Sequence, residues 1–485
     1  RCSAVPLGAD IFPCIPANLP YGSCRAGADH FRGRRTICAG TASDRNPAAP
    51  VPGPPNRTPA AAASMYVVKR LTKREETDKI KMKNNGPCRA AAGAFLLEGD
   101  AEMELTMCCP TLFGLEGIVA DELRFGGKLN EVRAENGRVL FEGDEQTLAW
   151  ANLNLRCAER VLIRLGSFRA KSFDALFEGV RALPWEQFIP KDGAFPVKGH
   201  SLDSALHSIP DCQRIIKKAV AARLEQVYHQ SWFEESGEKY QVQFAIMHDA
   251  AELYLDTSGA GLHKRGYRAN SNAAPLRETL AAAMVKLARW RGREPFTDPF
   301  CGSGTIAIEA AMIAQHRAPG LMRSFASEKW ECFERSVWQQ AREDALGMID
   351  TDGQFEILGR DIDPACVRLS QENARKAAVS GTIRFELADA VKQSYDQDGI
   401  LIANPPYGER LLDIQSAEKL YADLGHALEK SPVKQYILSS DPQFEHCFGK
   451  KADKRRKLYN GMLKCELHMY FKHSMHRSAK MDKTR

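Results

Sequence analysis

The spacing of hydrophobic and polar residues divides residues 103–472 into successive parts. Residues 103–165 contain short apolar runs that predict strands, and between them a run with apolar side chains three and four residues apart that predicts a helix. Residues 148–260, which overlap the first part, show a similar mixture of strands and helices. From residue 261 to 472, apolar runs alternate with amphipathic ones, which is typical of a doubly wound parallel sheet. The pattern therefore predicts an α/β domain preceded by an α+β region.

A strand, a glycine-rich turn and a helix follow one another at residues 296–311, FTDPFCGSGTIAIEAA. The predicted strand reaches Asp298, and Gly302 and Gly304 precede a helix that begins at Thr305. Glycine permits positive φ and close approach to a ligand, and the free N–H groups of a helix start can bind a carboxylate or phosphate. A Walker phosphate loop would need a lysine after Gly304, and only two glycines of a dinucleotide fingerprint are present. Taken alone, the segment could equally be an ordinary turn.

A second motif, Asn404-Pro405-Pro406-Tyr407, directly follows an apolar strand predicted at residues 400–403. Successive prolines cannot continue a hydrogen-bonded ladder, so the strand must stop there. The amide of Asn404 and the phenol of Tyr407 are groups that a planar, amino-bearing base would need. The presence of this second motif favours a ligand-binding role for the glycine turn over an ordinary strand-to-helix connection.

The motifs DPFCGSGT and NPPY together resemble those of S-adenosylmethionine-dependent methyltransferases that modify exocyclic amino groups of bases. With LHKRGYR at residues 262–268 and PLRETL at residues 275–280, the chain is similar to bacterial THUMP-containing guanine-N2 methyltransferases of large-subunit (23S) rRNA. The resemblance covers roughly residues 103–472. It implies a ferredoxin-like unit at 103–165, a THUMP RNA-binding domain at 148–260 and a Rossmann-like class I methyltransferase domain at 261–472. It also implies S-adenosylmethionine as the cofactor.

The resemblance and the positions of polar residues at predicted strand ends suggest individual roles. Ligands of such sheets lie at the carboxyl ends of the strands, where Asp298, Asp361, Asp389 and Asn404 are all expected. We expect Asp361 to bind the ribose hydroxyls and Asp389 to accept from the adenine amino group. The predicted cofactor-binding residues are Thr279, Asp298, Pro299, Cys301, Gly302, Ser303, Gly304, Thr305, Asp361, Ile362, Asp389 and Ala390, and the predicted catalytic residues are Asn404, Pro405, Pro406 and Tyr407.

RNA contacts are expected at basic side chains in the THUMP region and in the segment that joins it to the methyltransferase domain. A charged helix face is often only solvated, so the domain resemblance decides in favour of RNA. The predicted RNA-binding residues are Lys198, His200, Arg214, Lys217, Lys218, His263, Lys264, Arg265, Tyr267 and Arg268. The basic run at residues 450–457 is either a solvated loop or a further RNA contact.

Composition narrows the class of protein. The 485 residues are 44% hydrophobic with a net charge of +6, which suits buried cores and a polyanionic partner. None of the 14 cysteines forms a Cys-x-x-Cys pair, so we expect reduced thiols and no metal site. No apolar run is long enough for a membrane span. We expect a cytoplasmic monomer that binds RNA.

The two ends of the chain differ from the rest. Residues 1–102 are rich in Ala, Pro, Gly and Arg and begin with Arg rather than Met, so we expect a disordered leader. It is either a translated upstream region outside the native protein or a transit peptide. Residues 473–485 are expected to fray as a C-terminal tail.

Three other functions remain open at this stage. A tRNA guanine-N2 methyltransferase would have the same module order. An adenine-N6 DNA methyltransferase would use the same NPPY chemistry but would lack the RNA-binding unit. A non-catalytic RNA-binding assembly factor would keep the fold, although the intact Asn404 and glycine turn favour an enzyme.

Overall fold

The computed structural model describes residues 103–268, 276–406 and 414–471. These residues form two sheets of seven strands each, together with the helices that pack on them. The predicted leader, the tail, Tyr407 and Pro275 lie outside the described residues. Within them, no helix is long and apolar enough to cross a membrane.

The N-terminal sheet joins the two units that the sequence pattern separated. Its strand order is β2-β3-β1-β4-β7-β6-β5. The strands are β1 (Leu105–Pro110), β2 (Val132–Glu135), β3 (Arg138–Gly143), β4 (Leu162–Arg169), β5 (Val197–Leu202), β6 (Val242–Met247) and β7 (Ala250–Asp256). Antiparallel pairing of β1 with β4, at Met107 with Ile163, makes the ferredoxin-like unit and the following unit one continuous sheet. This shared sheet explains why the sequence pattern offered no clean boundary between them.

Within the described residues, four α-helices accompany this sheet. They are α1 (Glu116–Asp121, continued by a π-helical turn at Glu122–Gly126), α2 (Glu145–Asn154), α3 (Phe173–Arg181) and α4 (Ile209–Tyr228). Side-chain caps start two of them, because Asp144 accepts from the Thr147 N–H and Ser172 accepts from the Ala175 N–H. Leu148 of α2 and Leu176 of α3 are fully buried, so both helices press apolar side chains into the core.

The C-terminal sheet has the doubly wound arrangement expected from the sequence. Its order is β10-β9-β8-β11-β12-β14-β13. The strands are β8 (Phe296–Asp298), β9 (Ile357–Asp361), β10 (Ile383–Leu387), β11 (Ile400–Ala403), β12 (Lys434–Ser439), β13 (Lys454–Asn460) and β14 (Leu463–Tyr470). Strands β8 to β12 are parallel, and β14 inserts antiparallel between β12 and β13. The order reverses at β8, and ligands bind at such a switch point in open α/β sheets.

Helices connect these parallel strands. They are α5 (Glu278–Leu287), α6 (Thr305–Ala314), α7 (Arg335–Gly347), α8 (Pro364–Lys376), α9 (Ile414–Leu428) and α10 (Phe444–Cys447). An Asp-Pro pair, which is typical of a helix start, begins α8, and the Asp363 carboxylate accepts from the Ala365 N–H at 2.8 Å. Helix α6 is buried on almost every side, which fixes the turn that precedes it.

Candidate cofactor and catalytic site

Four polar residues lie at one edge of the C-terminal sheet. The parallel register places Asp298 level with Gly359 and Asp361 level with Leu387, two residues before Asp389. Asn404 directly follows β11, whose Leu401 lies level with Thr297 of β8. The carboxyl ends of β8, β9, β10 and β11 therefore present side chains on the same edge, as the sequence predicted.

The glycine turn, residues 299–304, is fastened to the end of β9. The Cys301 N–H donates to the Arg360 carbonyl at 2.8 Å, and the Gly302 N–H donates to Asp361 Oδ2 at 2.8 Å. Gly304 has φ +81°, and a Cβ there would lie 2.8 Å from the Ser370 Cβ. Both the backbone angle and the close approach of α8 require glycine at this position.

Asp298 has an unusual environment for a carboxyl group. It is fully buried, and its Oδ1 accepts only a long bond, 3.3 Å, from the Phe300 N–H. Its Oδ2 is buried and has no hydrogen-bond partner among the described residues. Burial raises the pKa of Asp298 well above its usual value, and Asp361 adds to the rise although the Phe300 N–H opposes it. Buried polar atoms are rarely unpaired, so a donor supplied by a ligand fits this site.

The ends of β9 and β10 combine carboxylates with exposed apolar surface. Asp361 is half-buried, and the Ile362 side chain beside it is 69% exposed. Asp389 Oδ1 accepts from the Val391 N–H at 3.2 Å, and its Oδ2 lies 3.0 Å from the Lys392 ammonium. Carboxylate oxygens next to an open aliphatic side chain suit a ligand with hydroxyl and amino groups on flat, largely apolar rings.

The loop after β11 holds an amide oxygen ready for a donor. The Asn404 Oδ1 atom is buried and has no hydrogen-bond partner among the described residues. Pro405 is buried, and the Pro406 carbonyl accepts from the Tyr421 hydroxyl of α9 at 3.2 Å. Strand β11 before Asn404, and the prolines with Tyr421 after it, thus fix the backbone around this amide oxygen.

Family models match three consecutive parts of the chain. They are described as an RlmL ferredoxin-like domain (residues 106–162), a THUMP domain (residues 170–256) and an RMKL-like methyltransferase domain (residues 265–469). YpsC of Bacillus subtilis, described as a candidate RNA methyltransferase, is 43% identical over 370 residues, which are 76% of this chain and 96% of YpsC. The chain belongs to this family of THUMP-containing methyltransferases.

Two further relatives define the extent of the similarity. The large-subunit rRNA methyltransferase K/L of Syntrophotalea carbinolica is 35% identical over 370 residues, 73% of this chain and 52% of that protein. The chain therefore spans about half the length of that K/L relative. The crystal structure of SMU.472, described as a candidate methyltransferase in complex with S-adenosylhomocysteine, superposes with a TM-score of 0.72 at 39% identity. That alignment covers 76% of this chain and 98% of SMU.472.

Three predicted RNA contacts between the THUMP and methyltransferase domains, Arg265, Tyr267 and Arg268, are instead engaged with acidic and hydroxyl side chains of the protein, which corrects their predicted role. Arg265 and Tyr267 are buried, and both meet Glu309 of α6, at 3.2 Å from the Arg265 Nε and 3.4 Å from the Tyr267 hydroxyl. Arg268 lies 3.5 Å from Glu278 and donates to the Thr305 hydroxyl. A basic sequence run does not reveal that acidic residues distant in the chain will enclose it.

His263 and Lys264, in the same segment, have different surroundings. His263 Nδ1 lies 3.5 Å from Glu159, whereas Lys264 is exposed. Arg323, further along the chain, holds the backbone of this segment through hydrogen bonds. Its guanidinium donates to the carbonyls of Ser258, Ala260, Gly261 and Lys264 at 2.6–3.2 Å. Lys264 therefore remains a predicted RNA contact.

Glu159, which no sequence motif singles out, links the N-terminal region to the methyltransferase domain. It accepts from Arg277 at 2.8 Å and from the Thr279 hydroxyl at 2.7 Å. Burial alone would raise the pKa of Glu159, but the neighbouring His263 ring and the charge of Arg277 lower it to about 2. The buried Thr279 hydroxyl donates to Glu159, and its contact with the cofactor remains a prediction. Only the tertiary structure brings these residues together.

The predicted RNA-binding residues of the THUMP domain differ in their surroundings. Lys198 is exposed on β5, whereas burial lowers the pKa of His200. On α4, Arg214 pairs with Asp211, and Lys217 lies 2.5 Å from Glu235 and over the Phe195 ring. Lys218 is exposed, 5.8 Å from the centre of the Phe177 ring. Their contact with RNA remains a prediction, best supported by exposure for Lys198 and Lys218.

Proposed function

We propose that this protein transfers a methyl group from S-adenosylmethionine to the exocyclic N2 amine of a guanine in large-subunit rRNA. The observation that supports it most is the buried Asn404 Oδ1, which has no partner among the described residues and lies on the edge that holds the glycine turn. Family membership, the THUMP domain and the K/L relative favour RNA as the substrate class.

The residues at the sheet edge fit the cofactor. Asp361 would accept from the ribose hydroxyls, Ile362 would cover one face of the adenine and Asp389 would accept from its amino group. Asp298 Oδ2, buried without a partner among the described residues, would gain a donor when the cofactor binds. When bound, S-adenosylmethionine would supply an electrophilic methyl group and leave as S-adenosylhomocysteine, and the methylated amine would then lose one proton to solvent.

Asn404 and Pro405 address the chemical difficulty of this reaction. An aromatic amine shares its lone pair with the ring and is a weak nucleophile. The Asn404 Oδ1 and the Pro405 carbonyl would accept from the two amine hydrogens and stabilise the developing cation, as fixed dipoles do in other active sites. Because Tyr421 and the prolines hold the loop in place, little reorganisation is needed. Tyr407 would stack on the guanine and hold its plane.

A substrate panel tests the proposal. Purified protein is incubated with labelled S-adenosylmethionine and, in parallel, unmodified large-subunit rRNA, tRNA and duplex DNA, and the modified nucleosides are then separated. We expect N2-methylguanosine in the rRNA. N2-methylguanosine confined to tRNA would replace the proposed substrate, and N6-methyladenine in DNA would overturn the RNA assignment. No methylation of any substrate would favour a non-catalytic assembly factor.

A further inference from the structure

The hairpin formed by β13 and β14 extends beyond the edge of the sheet that holds the catalytic loop. Ala403 at the end of β11 lies level with Ile437 of β12, and Ile437 lies level with His468 of β14. Because β14 is antiparallel, the chain from His468 back to Leu463 continues past that level. Along the strand direction, Leu463 therefore lies four residues beyond the level of Asn404, a distance of about 13 Å at a strand rise of ~3.3 Å per residue. Two strand spacings separate β11 from β14, about 10 Å across.

Basic side chains occupy the projecting part of this hairpin. Lys457 and Lys464 are exposed, and Lys464 lies directly opposite Tyr459 in the register. The Lys457 ammonium lies over the Tyr459 ring, 5.4 Å from its centre. Neither lysine has an acidic group within salt-bridge distance among the described residues, whereas Arg455 lies near both Glu445 and Glu466. The two lysines are therefore available to an anionic partner.

The tip of the hairpin is apolar and open to solvent. Met462 is 85% exposed and Leu463 is 46% exposed, directly after the turn at Gly461. An apolar tip beside lysines that have no acidic salt-bridge partner in the described part of the chain is suited to bases and phosphates together, because nucleic acids present flat apolar faces next to charges.

Protection of an edge strand is a simpler explanation for the lysines of β13, since edge lysines prevent strands of other molecules from pairing. The N-terminal domain already covers part of this edge, however. Arg456 donates to the Gly114 carbonyl, a Cβ at Gly114 would lie 3.0 Å from the Lys457 carbonyl, and the Phe113 ring meets Tyr459 edge-on at 6.2 Å. Protection of β13 therefore does not account for Lys464, which lies on the other strand.

We propose that Lys457, Lys464 and the Met462 tip form a substrate-binding surface for the RNA strand next to the target nucleotide. The lysines contact phosphates and the tip packs against a neighbouring base. The hairpin lies beside both the N-terminal domain and the catalytic edge, so RNA held there passes the Asn404 loop. This inference rests on the proposed RNA methyltransferase function.

The test compares two double variants that each remove two positive charges. Lys457→Gln with Lys464→Gln removes the proposed phosphate contacts. Arg375→Gln with Lys376→Gln is the matched control, because both residues are exposed at the end of α8, where the chain approaches the start of β10 at the opposite edge of the sheet. Binding of a single-stranded rRNA fragment is measured from 50 to 200 mM salt, with methylation kinetics and cofactor affinity measured in parallel.

The plot of log binding constant against log salt concentration has a negative slope. We expect the hairpin variant to make this slope less steep by about 1.4, because two phosphate contacts are lost at ~0.7 each for single-stranded RNA. Its KM for RNA should rise while cofactor affinity stays unchanged, and the control should match the wild type. If the wild type methylates RNA but the hairpin variant keeps the wild-type slope and KM, the hairpin surface is wrong. If the wild type neither binds nor methylates RNA, the proposed function itself fails.

Discussion

The buried pair of Arg265 and Glu309 gives a quantitative test of the structural role of the interdomain segment. Arg265 is 2% exposed and Glu309 is 0% exposed, so replacing Glu309 with Gln leaves a buried guanidinium without its counter-ion. Arg265 then keeps only uncharged acceptors among these contacts, namely the carbonyls of Arg156 and Leu262 and the amide oxygen left by the substitution. Losing one partner of a buried ion pair costs about 3–5 kcal/mol, a large part of the ~5–15 kcal/mol that stabilises a typical domain.

The assay is urea unfolding of the wild type and Glu309→Gln, followed by tryptophan fluorescence and circular dichroism. Glu178→Gln is the matched control, because its pair with Arg181 on α3 is 60% and 45% exposed. An exposed pair contributes about 0–1 kcal/mol, so the control should unfold almost with the wild type. A loss below about 1 kcal/mol for Glu309→Gln would refute the buried-pair reasoning, for which the expected loss is ~3 kcal/mol or more.

A double variant at the same site distinguishes a structural role of Arg265 from a role in RNA binding. Arg265→Met with Glu309→Leu removes both charges and fills the space with apolar side chains. Such replacements of buried pairs are often neutral or stabilising, so this double variant should recover most of the stability lost in Glu309→Gln. If Arg265 instead contacted RNA, the recovered protein would show a reduced salt dependence of RNA binding. We expect the wild-type dependence.

Three further predictions concern the cofactor edge and the interdomain contact. Glu159→Gln should destabilise the protein at neutral pH. Because folding lowers the pKa of Glu159, the difference in unfolding free energy between wild type and variant should shrink as pH falls from about 4.3, the usual pKa of an unfolded glutamate, through about 2. Unfolding measured across pH would contradict this if the difference grew in acid. Asp361→Ala should weaken S-adenosylmethionine binding in calorimetry, and an unchanged affinity would remove Asp361 from the ribose site. Gly304→Ala should lower both stability and cofactor affinity, since its Cβ would meet Ser370, whereas Gly347→Ala, with open space around it, should be tolerated.

Local patterns predicted the elements that place the site. Strand ends at Asp298 and Asp361 follow from apolar runs that stop at a carboxylate, and the Asn460–Gly461 pair is a typical hairpin turn that indicates the hairpin of β13 and β14. The Asp363 cap was also predictable, because an Asp-Pro pair acts within its own turn. In these cases the residues that interact lie only a few positions apart in the sequence.

Interactions between distant residues could not be predicted in this way. Arg265 looked like an exposed cation because its partner, Glu309, lies 44 residues further along the chain. The partner of Thr279, Glu159, lies 120 residues earlier. Strand β2 has no clear signal in the sequence because only Val132 of its four residues is buried, which leaves little apolar pattern to detect. Helix α7 is mostly polar, and it forms where it packs against α2.

The most direct test of the account is a single-turnover comparison of wild type and Asn404→Ala on unmodified large-subunit rRNA, with mass-spectrometric analysis of the nucleosides and calorimetry of cofactor binding. We predict N2-methylguanosine from the wild type and a rate lower by at least ~10²–10³-fold in Asn404→Ala, the range seen when one fixed transition-state hydrogen bond is lost. Cofactor affinity should be nearly unchanged. Equal rates in the two proteins, or a product other than N2-methylguanosine from the wild type, would contradict the account.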